Sequence, residues 1–112
     1  MTSSSKWRLR RYVDPKGSEP FSDWLNKLDT TAGRRVRVLL ARVEAGNLSA
    51  LKWLGGGLGE IKIDIGPGYR VYVTRQGSDE LVLLAGGDKS SQERDMRLAK
   101  SFMSVLKGKG KS

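Results

Sequence analysis

The hydrophobic pattern of this chain switches twice between a period of two and a helical period. Residues 6–13, KWRLRRYV, alternate as in a half-buried strand. The expected inner side carries Trp7, Leu9 and Val13, and the expected outer side carries Arg8, Arg10 and Tyr12.

Two amphipathic helices are predicted next. Pro20 opens the first, with an apolar stripe at Phe21, Trp24, Leu25 and Leu28. The second runs from about Thr30 to Gly46, with a stripe at Val36, Leu39, Leu40 and Val43. The short link between them favours an antiparallel helix hairpin. The second helix also carries arginines, which are either a solvated face or part of a nucleic-acid footprint: Arg34, Arg35, Arg37 and Arg42.

From Leu58 the period returns to two, with Ile61, Ile63 and Ile65 facing one way and Glu60, Lys62 and Asp64 the other. The turn at residues 66–68 leads into a second strand, YRVYVTR, and the apolar run ELVLLAG is typical of a central strand. A final helix begins with a capping-box pattern at Ser90–Glu93. Its core side is predicted to be Met96, Ala99, Phe102, Met103 and Leu106.

The predicted order is therefore β-α-α-β-β-β-α, an α+β fold with a twisted antiparallel sheet, an N-terminal helix hairpin and a C-terminal helix. Residues 1–106 form one domain, and residues 107–112, KGKGKS, form a disordered basic tail. Core packing is expected of all three tryptophans, Trp7, Trp24 and Trp53.

The composition limits which catalytic groups and metal ligands this chain can use. The chain has neither histidine nor cysteine, which excludes a Ser-His-Asp triad, an imidazole base and thiolate metal ligands. No apolar run is long enough for a membrane span and no secretory signal is found, so we expect a cytoplasmic protein without a membrane partner. The net charge of +9 and the pI near 10.2 favour a polyanionic partner, with solubility as the alternative.

The glycine-rich segment GGDKSSQERD, residues 86–95, suggests a phosphate cradle between a strand and a helix. It is not a Walker A loop, because Asp88 precedes Lys89, and GGGLGE at residues 55–60 lacks the spacing of a dinucleotide fingerprint. No nucleotide cofactor is expected. The helix N-terminus with Lys89, Ser90 and Ser91 could hold a backbone phosphate, or the glycines could form a turn and Ser90 a cap.

The polar side of the strand pair adds further cations. Lys62 and Arg70 have the same-face parity on adjacent strands, beside Glu60 and Tyr72. If the following strand delivers Lys89 to this face, the three cations would form a phosphodiester site that uses no metal and no histidine. The alternative is surface salt bridging of Lys62 with Glu60 or Asp64.

Three segments in this order, PFSDWLNKL, GGGLGEIKIDIGPGYRVYVT and GGDKSSQERDM, resemble the addiction module killer protein branch of the RelE/ParE/HigB-like toxins. The resemblance extends from about Trp7 to Leu106. It implies a RelE-like fold and a type II toxin with a small DNA-binding antitoxin as its cognate partner. HigB- and RelE-like members inhibit translation as metal-free endoribonucleases that cut mRNA on the ribosome.

Position by position, the resemblance implies that Arg70 holds the scissile phosphate and that Lys62 acts in 2′-OH activation or charge stabilisation. Lys89 supplies another cation, with Ser90, Ser91 and Gln92 near it. Glu60 departs from the family, which often has a basic residue at this position, and Tyr72 could replace the late tyrosine or histidine. We place both in the predicted substrate-binding set. Met96 occupies the region where some members carry a tyrosine or histidine. Two alternatives stay open: a non-enzymatic ParE-like toxin acting on DNA gyrase, and a non-toxic, phage-derived basic binding protein.

Overall fold

The protein forms three α-helices and five β-strands, in a computed structural model that describes residues 6–109. The α+β class is confirmed. None of the helices within these residues combines the length and the apolar character that a membrane span requires. The elements are β1 (Arg8–Arg11), α1 (Pro20–Lys27), α2 (Thr30–Glu44), β2 (Leu51–Gly55), β3 (Leu58–Ile63), β4 (Tyr69–Gln76), β5 (Glu80–Asp88) and α3 (Gln92–Lys109), with a 3₁₀ turn at Lys89–Ser91.

The five strands form one mixed sheet in the order β1-β5-β4-β3-β2. The prediction of a wholly antiparallel sheet is wrong, because β1 pairs with β5 in parallel, Leu9 opposite Leu81. Alternation indicates that a strand has a buried side, but it does not identify the neighbouring strand or its direction. β5 is interior and buried on both faces, as its apolar run predicts, while β4 occupies the middle.

The edge strand β2 was not predicted. Its apolar residues Leu51 and Leu54 are only half-buried, so LKWLG carries a weak alternation signal. Core packing of Trp53 is also wrong, since that side chain is 47% exposed at the sheet edge. Trp53 lies across Gly59, where an added Cβ would come within 2.9 Å of the indole ring.

The helices cover both faces of the sheet. α1 packs on β5 and α2 on β3, whereas α3 covers the opposite face along β4 and β5. The predicted helix hairpin is not evident, because α1 and α2 pack mainly on the sheet. The core between α1, α2 and the sheet contains Phe21, Leu25, Val36, Leu40, Val43, Ile61, Ile63, Val71, Val73, Leu81 and Leu83.

The core under α3 includes Leu58, Tyr72, Val82, Leu84, Ala99 and Met103. Tyr12 belongs to it, stacked on Phe102 with ring centroids 4.8 Å apart, while Val13 is 46% exposed. The prediction of an inward Val13 is therefore wrong, because the chain has left β1 by that residue. The predicted core side of α3 is confirmed, with Met96, Phe102 and Leu106 partly buried around Ala99 and Met103.

The helix boundaries follow local signals. α1 begins at Pro20 as predicted, and the Asp29 carboxylate caps α2 by accepting a hydrogen bond from the Ala32 N–H at 2.8 Å. α3 continues through Lys109, so residues 107–109 are helical and not a disordered tail. Residues 110–112 lie outside the described part of the chain.

Two adjacent glycines in β5 allow both helical layers to approach the sheet closely. An added Cβ on Gly86 would overlap the Trp24 ring of α1, and one on Gly87 would overlap the Asp95 carboxylate of α3. Neither glycine has a positive φ. The pair is needed for its lack of side chains and does not form the turn that the sequence suggested.

We expect Gly86→Ala to lower the free energy of unfolding by about 1–3 kcal/mol, because the methyl group must displace a packed indole ring. Gly108→Ala is the matched control. Gly108 lies in α3, where an added Cβ would have no neighbour within 4 Å, and alanine there should raise stability by about 0.5–1 kcal/mol. Urea unfolding followed by circular dichroism measures the free energy of unfolding of both variants. An equal change of this free energy in the two variants would contradict the packing role of Gly86.

Candidate functional site

The strand register aligns the predicted site residues in two rows on the face covered by α3. Lys62 lies opposite Arg70, and Arg70 lies opposite Gly87. In the next row Glu60 lies opposite Tyr72. The prediction that Lys62 and Arg70 are neighbours on one face is confirmed.

Lys89 directly follows β5. It comes two residues after Gly87, which belongs to the row of Lys62 and Arg70. Its backbone N–H donates to the Gly68 carbonyl oxygen at 3.0 Å, which joins the 3₁₀ turn to the loop before β4. Lys62 and Lys89 are both exposed, and neither forms an ion pair within residues 6–109. These two ammonium groups are the accessible cations of the predicted set.

Arg70 and Glu60 are buried, each with 7% of its surface exposed. Arg70 Nε lies 3.2 Å from Glu60 Oε2, and Gln92 Nε2 at the start of α3 lies 3.3 Å from the same oxygen. The predicted open polar surface is therefore wrong for these residues, because α3 covers them. The alternative pairing of Lys62 with Glu60 does not occur either, since Glu60 pairs with Arg70.

The buried cluster has unmatched hydrogen-bond donors. Arg70 Nε and Nη1 and the hydroxyls of Tyr12 and Tyr72 have no hydrogen-bond partner in the described residues. The Nε contact with Glu60 is an ion pair without hydrogen-bond alignment. A guanidinium with unpaired N–H groups is a strong potential site for an anion, although it lies beneath α3 in this conformation.

Burial of Tyr72 and the neighbouring Glu60 carboxylate raise the pKa of its phenol to about 12. The phenol is therefore neutral at physiological pH and is fully buried. Its place in the predicted substrate-binding set does not fit this geometry, because no substrate reaches it while α3 is in place.

The serines after the glycine pair are engaged within the protein. The Asp88 carboxylate accepts hydrogen bonds from Ser90 Oγ at 2.6 Å and from the Ser90 N–H at 2.9 Å. The side-chain bond from Ser90 lowers the pKa of Asp88. The predicted capping box is wrong in its residue: Asp88, and not Ser90, caps this turn. A phosphate bound here would meet the Asp88 carboxylate, so the segment does not form the predicted cradle.

Asp95 is a site residue that the sequence reasoning missed. It is only 4% exposed, accepts a hydrogen bond from Ser91 Oγ and lies against Gly87. A carboxylate in the first turn of a helix is favoured by the helix dipole, and this placement adds negative charge beside Arg70 and Tyr72. Gly87 and Asp95 are eight residues apart and in different elements, so no periodic pattern in GGDKSSQERD indicates their contact.

Within the described residues, no group of three or more acidic, histidine or cysteine side chains is arranged to hold a metal ion. The candidate site therefore consists of the exposed Lys62 and Lys89 above a buried cluster formed by Arg70, Glu60, Tyr72, Gln92, Ser91 and Asp95.

Fold and site define a basic α+β protein with a mixed five-stranded sheet between two helical layers. No family model matches the chain. It is 40% identical over 95 residues to an uncharacterized protein of Haemophilus influenzae, covering 84% of this chain and 96% of that protein. The chain belongs to the same family as this Haemophilus protein.

We expect Arg70→Met to destabilise the fold by about 3–5 kcal/mol, because it leaves the Glu60 carboxylate buried without its cation. The double variant Glu60→Leu/Arg70→Met should recover most of that loss, since no ionised member of the pair remains. Urea unfolding of the wild type, both single variants and the double variant completes the cycle. If the stability losses of the two single variants sum to the loss of the double variant, the two side chains do not stabilise each other.

Alkaline pH should weaken the fold through Tyr72. Its folded pKa of about 12 lies above the unfolded value of 10.0, so its contribution to stability is fully present below pH 10. That contribution is lost as pH rises from 10 towards 12, when the unfolded chain releases the proton first. Tyr72→Phe should therefore lose less stability than the wild type over this range. Thermal unfolding between pH 8 and pH 11.5 measures the difference, and parallel curves would contradict it.

Proposed function

We propose that this chain is the toxin of a type II toxin–antitoxin pair with a RelE-like fold, and that it cleaves mRNA on the ribosome without a metal. The proposal extends the resemblance of the GPGYR and GGDKSSQ segments to the RelE/ParE/HigB-like toxins. The cognate antitoxin, expected to bind DNA, and the ribosome with its mRNA are the proposed partners, in the cytoplasm.

The observation that carries the proposal is the row of cations across the sheet. Lys62 lies opposite Arg70, and Lys89 follows the strand that pairs with Arg70 on its other side. Cations concentrated at one end of a sheet favour binding of a phosphodiester. The exposed Lys62 and Lys89 are suited to contact it directly, and Arg70 lies below them, paired with Glu60.

The proposed reaction is attack of the ribose 2′-oxygen on the adjacent phosphorus. The bond from phosphorus to the 5′-oxygen breaks, and the products are a cyclic phosphate and a 5′-hydroxyl. The 2′-hydroxyl loses a proton and the leaving 5′-oxygen gains one. In this chain Lys62 and Lys89 would stabilise the charge on the phosphoryl oxygens, and orientation by the ribosome would supply much of the acceleration.

A second candidate is a ParE-like toxin that acts on DNA gyrase by protein contact. It is favoured by the burial of Arg70 and Glu60 and by the internal hydrogen bonds of Ser90, Ser91 and Gln92. A protein that acts only by contact can use such residues to support its fold.

Induced expression in a bacterial host tests both candidates. Wild type should arrest growth and create new mRNA 5′ ends, and Lys62→Ala and Lys89→Ala should reduce these ends at least about tenfold, since each removes charge stabilisation worth more than about 1.4 kcal/mol. Both lysines are exposed, so neither change should disturb folding. Lys16→Ala, an exposed cation in the turn before α1, is the matched control.

Growth arrest without new mRNA ends, accompanied by DNA damage and unchanged in both lysine variants, would reject the nuclease and favour the gyrase candidate. Wild-type expression without growth arrest would reject both toxin functions.

A further inference from the structure

A hollow lies on the α3 face, away from the buried cluster. It measures about 460 Å³ and opens between the β2–β3 turn and the second half of α3. Leu58 and Met103 form its buried floor, and Lys100, Ser104 and Lys107 form one wall. The opposite wall is the glycine turn at residues 55–57, whose three glycines all have positive φ and present backbone without side chains.

Beyond the end of this hollow, two further lysines lie on the same part of the sheet. Lys52 lies opposite Glu60 on β2, and Lys62 is two residues further along β3 on the same face. Two residues along a strand cover about 7 Å. We call the hollow together with Lys52 and Lys62 the α3–β2 crevice. β2 is the edge strand, so the crevice is open to solvent along its length.

The charge of the crevice is mainly positive. Lys52, Lys62, Lys100 and Lys107 are exposed, and none of them is in an ion pair within residues 6–109. Glu60 is buried and paired with Arg70, which removes it from the crevice surface. Two exposed acidic residues lie nearby: Glu93, seven residues before Lys100 on α3, and Asp64, two residues after Lys62. The strongest positive potential is therefore at the Lys100–Lys107 half.

We propose that the α3–β2 crevice binds the backbone of single-stranded RNA and leads it towards Lys62. Lys100 and Lys107 are separated by about 10 Å along α3, a spacing that allows contact with different phosphates of one strand. None of the residues that line the hollow is aromatic and able to stack on a base, so binding should be electrostatic, strongly salt-dependent and insensitive to base sequence. An acidic helix fits less well, because the apolar floor residues are buried and offer no exposed anchor site.

This inference rests on the proposed function for its choice of RNA, but its test does not require cleavage. The experiment measures binding of the full-length protein to a fluorescent single-stranded RNA oligonucleotide by anisotropy over a series of salt concentrations. The test variant is Lys52→Glu/Lys100→Glu/Lys107→Glu. The control variant Lys16→Glu/Lys27→Glu/Arg34→Glu makes the same change of net charge around α1 and at the start of α2, the helices that pack on the other side of the sheet.

We expect the crevice variant to bind the RNA at least about tenfold more weakly than the control variant. Its plot of log K against log salt should be less steep than that of the control by about 2, since about 0.7 counterions are released for each phosphate that a lysine neutralises. If RNA affinity falls equally in both variants, or falls in neither, the proposed role of the crevice is wrong. Tighter lysine-dependent binding of poly-L-glutamate than of RNA would also overturn it and would favour an acidic polypeptide.

The two proposals can fail separately. If Lys62→Ala abolishes new mRNA ends in cells while the crevice variant binds RNA like the control, the crevice alone is wrong. If wild type is harmless in cells while the crevice variant selectively loses RNA affinity, the nuclease function alone is wrong.

Discussion

Burial of the Arg70 guanidinium beneath the first turn of α3 is the constraint on which the candidate site depends. A charged group taken out of water is tolerated only with an opposite charge nearby, and Glu60 supplies it at 3.2 Å. Gln92 of α3 donates a hydrogen bond to the same carboxylate, and this hydrogen bond connects the helix to the sheet. Displacing α3 would break that contact and expose the cluster to water.

The close approach of α3 depends in turn on the glycine pair of β5. Gly87 leaves room for Asp95, and Gly86 leaves room for Trp24 on the opposite face. One dipeptide therefore determines how closely two layers pack on the same strand. This explains why a segment that resembles a phosphate-binding loop serves here to bring helices and sheet together. The hydroxyls of Ser90 and Ser91 donate their hydrogen bonds to the carboxylates of Asp88 and Asp95, respectively.

Exposed cations surround this buried cluster and give the α3 face two different environments. Lys62 and Lys89 remain open to solvent at one end, and Lys100 and Lys107 line the hollow at the other. The interior ion pair is shielded from salt, whereas interactions of the exposed lysines weaken as ionic strength rises. Folding and polyanion binding should therefore respond differently to salt.

Local patterns in the sequence determined the α+β class, the start of α1 at Pro20, the core side of α3 and the shared face of Lys62 and Arg70. Each depends on neighbours that are close in sequence: helical spacing, strand alternation or a short strand connection. The parallel pairing of β1 with β5 could not be read this way, because it joins residues that are distant in the chain. The same holds for the burial of Arg70. Same-face parity placed it beside Lys62, but only the packing of α3 over that face decided which cation stays in water and which is enclosed with Glu60.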